Sequence, residues 1–91
     1  MSKITFTDTG FYQYTEWLSI DKKLLVKINS LLKSIERDGA LNGIGKPEKL
    51  KYKKGYYSRR IDEGNRLVYT VNADTIIVLS LSLIHISEPT R

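Results

Sequence analysis

The chain contains no cysteine, which excludes a disulfide framework and a thiolate metal site. No apolar run approaches the roughly 20 residues that a membrane-spanning helix needs. The opening Met1-Ser2-Lys3-Ile4-Thr5 lacks the apolar segment of a secretory signal. Repeats, linkers and low-complexity stretches are also missing. A length of 91 residues suits one small domain with a modest core. The expectation is a cytoplasmic protein with no membrane association.

Acidic residues are in short supply, ten against fifteen basic ones, for a net charge of +5. The imbalance is local. Lys46, Lys49, Lys51, Lys53, Lys54, Arg59 and Arg60 crowd one window in which Glu48 is the lone carboxylate, and that window accounts for the whole excess. Tyr52, Tyr56 and Tyr57 are interleaved with these cations. Clustered cations with aromatic rings suit a polyanion whose bases can stack. A solvated edge hairpin, on which lysines discourage sheet-to-sheet pairing, is the alternative.

Periodicity divides the chain into a helical first half and an alternating second half. A short strand is read at Lys3 to Phe6; Thr7 or Asp8 can then cap a helix carrying Phe11, Tyr14, Trp17 and Leu18. Asp21 is placed to cap a second helix with the stripe Leu24, Leu25, Ile28, Leu31, Leu32 and Ile35, and Gly39 to end it. Both stripes are expected to face the core. Leu41 to Glu48 reads as a loop punctuated by Gly43, Gly45 and Pro47. Strands are expected at Leu50 to Lys53, Tyr56 to Ile61, Arg66 to Asn72 and from Thr75 onward. The implied fold class is α+β, two N-terminal helices packed on one face of a small, mostly antiparallel sheet.

Strand alternation sorts the charges. Leu67, Tyr69 and Val71 share one face of their strand, leaving Arg66, Val68 and Thr70 on the other. Ile61 shares its face with Tyr57 and Arg59, and Tyr56, Ser58 and Arg60 lie opposite. With the more apolar faces turned to the helices, Lys51, Arg60 and Arg66 converge on an uncovered face, a placement that packing does not explain.

Metal-free RNA cleavage makes a ribose 2′-hydroxyl attack its neighbouring phosphate. It needs a general base, cations for the charge building on phosphorus, and an acid for the departing 5′ oxygen. Glu48 is the candidate base, next to Pro47 and beside the cationic floor. Arginine suits the phosphate because its planar fork holds two oxygens. A surface carboxylate neutralising nearby lysines is the plainer reading of Glu48. RNA contacts are expected from Lys49, Lys51, Lys53, Lys54 and Arg59, and neither a metal nor a cofactor is implied.

Three strings then carry a resemblance. Gly43-Ile44-Gly45-Lys46-Pro47-Glu48-Lys49-Leu50-Lys51, Tyr57-Ser58-Arg59-Arg60-Ile61 and Asn65-Arg66-Leu67-Val68-Tyr69 closely resemble the YoeB/Txe toxins of the RelE-like superfamily. Trp17, Asp21-Lys22-Lys23 and Lys27-Ile28-Asn29 look like that family too, and the likeness runs from about Ile4 to Ser80. It implies a RelE-like fold and a toxin that cuts messenger RNA in the ribosomal A site, neutralised by a YefM-like antitoxin, and it allows a homodimer. By position the family's catalytic glutamate falls on Glu48, its catalytic arginine on Arg66, its second arginine on Arg60 and a substrate-contacting lysine on Lys51. Tyr57 stands where an aromatic, often Trp, is usual, and Asn65 where His is common.

The ending departs further. Family members close on a stretch like Ser-Cys-Lys-Gly-His-Tyr, whose His and Tyr join the active site. Here Ser80 is followed by Leu81-Ser82-Leu83-Ile84-His85-Ile86-Ser87-Glu88-Pro89-Thr90-Arg91, which matches the in-frame translation of a transposase sequencing adapter. Residues 1–80 are therefore read as the toxin domain and 81–91 as a foreign tail. His85, the sole histidine, falls one residue later than the family register and is left out of the catalytic set. The competing readings are a basic module that docks on ribosomal RNA without cutting it, and a ParE-like toxin acting on gyrase.

Overall fold

Thr7 decides where the first helix begins. In the computed structural model, which describes residues 3–51 and 53–83, β1 (Lys3–Phe6) runs directly into α1 (Asp8–Ile20), and the Thr7 hydroxyl accepts from the Gly10 N–H. Asp21 separates α1 from α2 (Lys22–Asp38) and caps the latter, its carboxylate accepting from Lys23 and Leu24 N–H. Such caps satisfy donors that a helix start leaves without partners. Gly39 ends α2 at φ 98°, in the left-handed region that suits glycine.

Strands β2 (Glu48–Lys49), β3 (Tyr57–Arg60), β4 (Asn65–Asn72) and β5 (Thr75–Leu83) complete a sheet of order β1-β5-β4-β3-β2. All neighbours are antiparallel except β1, which returns beside β5 in parallel. The α2 stripe supplies Ile28, Leu31, Leu32 and Ile35 to the core. Strands β4 and β5 supply Leu67, Tyr69, Ile76, Val78 and Leu81, and Ile61 joins them from the residue just after β3. The fold class matches the expectation from periodicity. No helix among the described residues is long and apolar enough to cross a membrane.

Three details differ from the sequence reading. The second strand is Glu48–Lys49, not Leu50 to Lys53: Tyr56 N–H reaches Lys53 O and Leu50 N–H reaches Tyr56 O, which turns the chain where a strand was expected. The α1 stripe is only half a core stripe. Tyr14 and Trp17 pack on the core, but Phe11 and Leu18 are 57% and 51% exposed. The third is a bulge. Val68 pairs with Ser80 but Tyr69 with Val78, so Leu79 is the extra residue. Thr7 accounts for its location, with its N–H on Val78 O and its hydroxyl on Leu79 O at 3.2 Å.

The bulge resets the faces of β5, so that Leu81 rather than Ser80 enters the core. Leu81 is fully buried; its N–H donates to Gln13 Oε1 at 2.7 Å and its carbonyl accepts from Trp17 Nε1 at 2.6 Å. The strand thus runs through Ser80 into the first residues of the stretch read as foreign, pairing Leu81, Ser82 and Leu83 with Leu67, Arg66 and Asn65. Leu81→Ala is expected to cost about 2–5 kcal/mol of unfolding free energy, measured by urea denaturation. A loss below about 1 kcal/mol would remove Leu81 from the core.

Candidate active site

Register brings the candidate residues together from three strands. Glu48 on β2 lies opposite Ser58 on β3, Ser58 opposite Val68 on β4, and Arg60 opposite Arg66. Directly opposed residues share a face, as do residues two apart on one strand. Glu48, Ser58, Arg60 and Arg66 therefore occupy the face away from the helices. Glu48 sits in a strand rather than the expected loop, and pairing fixes its direction.

Arg66 is the hub of this face. Its Nη1 lies 3.4 Å from Glu48 Oε1 and donates to Ser58 Oγ at 3.1 Å. The Arg66 side chain is 20% exposed and that of Glu48 58% exposed. An ion pair this open contributes at most about 1 kcal/mol, so stability does not explain the juxtaposition. Ser58 is buried at the base of the site. Chemically the face offers a reachable carboxylate, a guanidinium with donors to spare and a second arginine directly opposite it on the neighbouring strand.

The other basic residues divide into three groups. Lys51, Lys53 and Lys54 lie exposed on the β2–β3 connection, with Lys53 Nζ 4.9 Å from the centre of the Tyr56 ring. Because β2 ends at Lys49, strand alternation does not carry Lys51 onto the face of Arg60 and Arg66, where it was expected. Lys49 is exposed but pairs with Tyr57, so it shares the opposite face from Glu48. Arg60 is exposed and joins Lys27 and Lys46, with Asp62 and Glu63, around an open cleft of about 360 Å³. Periodicity gave no sign of Lys27, which lies on α2, far off in sequence.

Arg59 corrects an expectation. Read as an RNA-facing cation, it is completely buried on the helix side, where its parity with Ile61 directs it. Tyr57 stacks there too, its ring 5.7 Å from that of Tyr69. Asn65 closes the β3–β4 turn by donating to the Asp62 carboxylate at 3.0 and 3.1 Å. Burial works to raise the Asp62 pKa, but the bonds from Asn65 and the Gly64 N–H outweigh it and hold it below the ordinary carboxylate value. Tyr52 and His85 lie outside the described residues.

This two-helix, five-stranded architecture is that of small RelE-like toxins. A dimeric YoeB from Staphylococcus aureus superposes with a TM-score of 0.86 at 54% identity, over 89% of this chain and 94% of that one. The heterotetrameric YoeB–YefM complex from the same organism gives 0.85 at 53% identity, over 90% and 95%. Toxin YoeB of Synechocystis sp. is 47% identical over 79 residues, which span 86% of this chain and 91% of the relative. Residues 6–85 match the YoeB-like toxins of bacterial type II toxin–antitoxin systems, and the chain belongs to that family.

Proposed function

We propose that the chain is a ribosome-dependent endoribonuclease that cuts messenger RNA in the A site. The carrying observation is the meeting of Glu48, Ser58 and Arg66 on the open sheet face. In this reading Glu48 takes the proton from the ribose 2′-hydroxyl, whose oxygen then attacks the adjacent phosphorus. Arg66 and Arg60 neutralise the charge gathering on the phosphoryl oxygens. The 5′ oxygen leaves with a proton from a general acid, giving a 2′,3′-cyclic phosphate and a 5′-hydroxyl. At 3.4 Å from Glu48, Arg66 is held loosely enough to exchange that contact for a phosphate oxygen.

The openness of the site supports dependence on the ribosome. Among the described residues, a carboxylate 58% exposed has no enclosing wall to exclude water or orient a flexible RNA. A docking surface supplies both, and positioning alone is worth several kcal/mol of barrier. The exposed Lys49, Lys51, Lys53 and Lys54 would hold nucleic acid, while Arg59 drops out of that set because it is buried. No metal or cofactor takes part in this mechanism.

The Staphylococcus aureus relative is bound to YefM in one structure and is a dimer in another. For this chain we take a YefM-like antitoxin as its inhibitor in the cytoplasm, and self-association when that partner is absent. An acidic antitoxin segment would compete with RNA for the same cations. The residues after Ser80 do not supply the family's His-Tyr pair in register, so the chain as it stands should cut poorly.

Binding tests the cationic face without requiring turnover. Lys51→Ala or Arg60→Ala should weaken binding to single-stranded RNA of every sequence and reduce the slope of log K against log salt by about 0.7 each, one released counterion per lost phosphate contact. Unchanged slopes in both variants would take these residues off the substrate path.

A further inference from the structure

Arg59 spends all of its donors on one loop and its supports. The guanidinium has five N–H groups, and five bonds account for them. Nε donates to Tyr69 Oη at 2.9 Å; Nη1 to Ser34 Oγ at 2.9 Å and Ile44 O at 2.8 Å; Nη2 to Gly39 O at 2.7 Å and Asn42 O at 2.6 Å. Three of these acceptors are carbonyls of the segment joining α2 to β2. Tyr69 extends the clamp by donating to Ala40 O. Ser34, which also accepts from the Ile44 N–H, donates to the Asp38 carboxylate at 3.0 Å. That carboxylate, which Arg37 also holds by an ion pair at 3.0 Å, lies one bond removed from the buried guanidinium.

The clamped segment needs holding. Gly43 and Gly45 have φ of 105° and 86°, and Lys46, which is not a glycine, has φ of 50°. Left-handed backbone at a non-glycine residue persists only where its surroundings impose it. Two residues beyond Lys46 lies Glu48. The Arg60 N–H takes Gly45 O at 2.7 Å, fastening the end of the segment beside the strand that pairs with Glu48. Thus β3 works on both faces, with Arg59 gripping the loop below and Ser58 and Arg60 forming the site above.

We propose that Arg59 is a positioning residue for Glu48: by clamping residues 39–45 it fixes the point at which the chain enters β2, and hence the reach of the Glu48 carboxylate toward Arg66. This rests on the reading of Glu48 as general base. The test compares Arg59→Lys, which cannot satisfy a fan of five acceptors, with Gly43→Ala. A methyl at Gly43 would press on Ser34 Oγ and the Asp38 carboxylate and come within 3.2 Å of Arg59 Nη1, at a φ of 105°, disturbing the clamp from the loop side without replacing Arg59 or any residue of the open face.

In the full chain, amide hydrogen exchange at Ile44 and Arg60 should quicken at least ~10-fold in both variants while the β4 amides keep their protection. With the ending Cys-Lys-Gly-His-Tyr in place, kcat on ribosome-bound message should fall roughly 10- to 100-fold with KM little changed, the signature of a misplaced group rather than lost binding. Neither replacement should lower the rate further once Glu48→Gln is present. Unchanged kcat in both variants, or β4 losing protection in step with the loop, would overturn the proposal. If Glu48→Gln alone cut like its parent, the general-base reading would be the one to fail, and the exchange data would still judge the clamp.

Discussion

Replacing residues 81–91 by Cys-Lys-Gly-His-Tyr is expected to raise cleavage of ribosome-bound message by roughly 100- to 10,000-fold, the usual contribution of a general acid or base. The leaving 5′ oxygen needs a proton donor, and in this reading Glu48 takes a proton while Arg60 and Arg66 hold the phosphate, so none of these three is left to give one. Register favours the replacement. Position 82 lies opposite Arg66 on β4, so an ending that continues the same alternation carries position 84, the new histidine, onto the Arg66 face. The exchange also removes Leu81 from the core, so the proteins must be compared at equal folded concentration. Equal rates would mean that the tail has no catalytic consequence.

In that repaired chain Glu48→Gln should remove most of the activity, again about 100- to 10,000-fold. The amide keeps the shape and can still accept a bond from Arg66, but it cannot take the 2′-hydroxyl proton. Because the Glu48 side chain is 58% exposed and its ion pair with Arg66 is long, stability should change by no more than about 0.5 kcal/mol. A drop in melting temperature large enough to explain the lost activity would assign Glu48 to structure instead. Loss of rate with unchanged RNA binding separates the base role from that of a surface carboxylate balancing nearby lysines.

Where local chemistry decides the structure, the sequence was readable. Thr7, Asp21 and Gly39 mark helix ends by capping; the α2 stripe, half of the α1 stripe and the Asp62 to Asn65 turn also emerged as expected. Alternation alone put Ser58, Arg60 and Arg66 on one face. Features set by long-range partners were not readable. Glu48 becomes part of a strand only because left-handed residues at Gly45 and Lys46 deliver it to Ser58. The bulge at Leu79 depends on Thr7, more than seventy positions away, so simple alternation misassigns the faces of β5. Arg59 misled because a cation in a basic window reads as surface, whereas the carbonyls at the end of α2 and the loop beyond form its socket. The roles within the site came from family resemblance, which spacing alone left open.

The products of cleavage test the central claim most directly. The repaired chain would be incubated with ribosomes stalled on a defined message, and in parallel with the same message free in solution, and the RNA ends identified by mass spectrometry. Acid–base attack by the 2′-hydroxyl predicts cuts at the A site of the ribosome-bound message, with 2′,3′-cyclic phosphate and 5′-hydroxyl ends, and a rate that collapses with Glu48→Gln. Equal cutting of free message, or 5′-phosphate ends left by an attacking water, would contradict it.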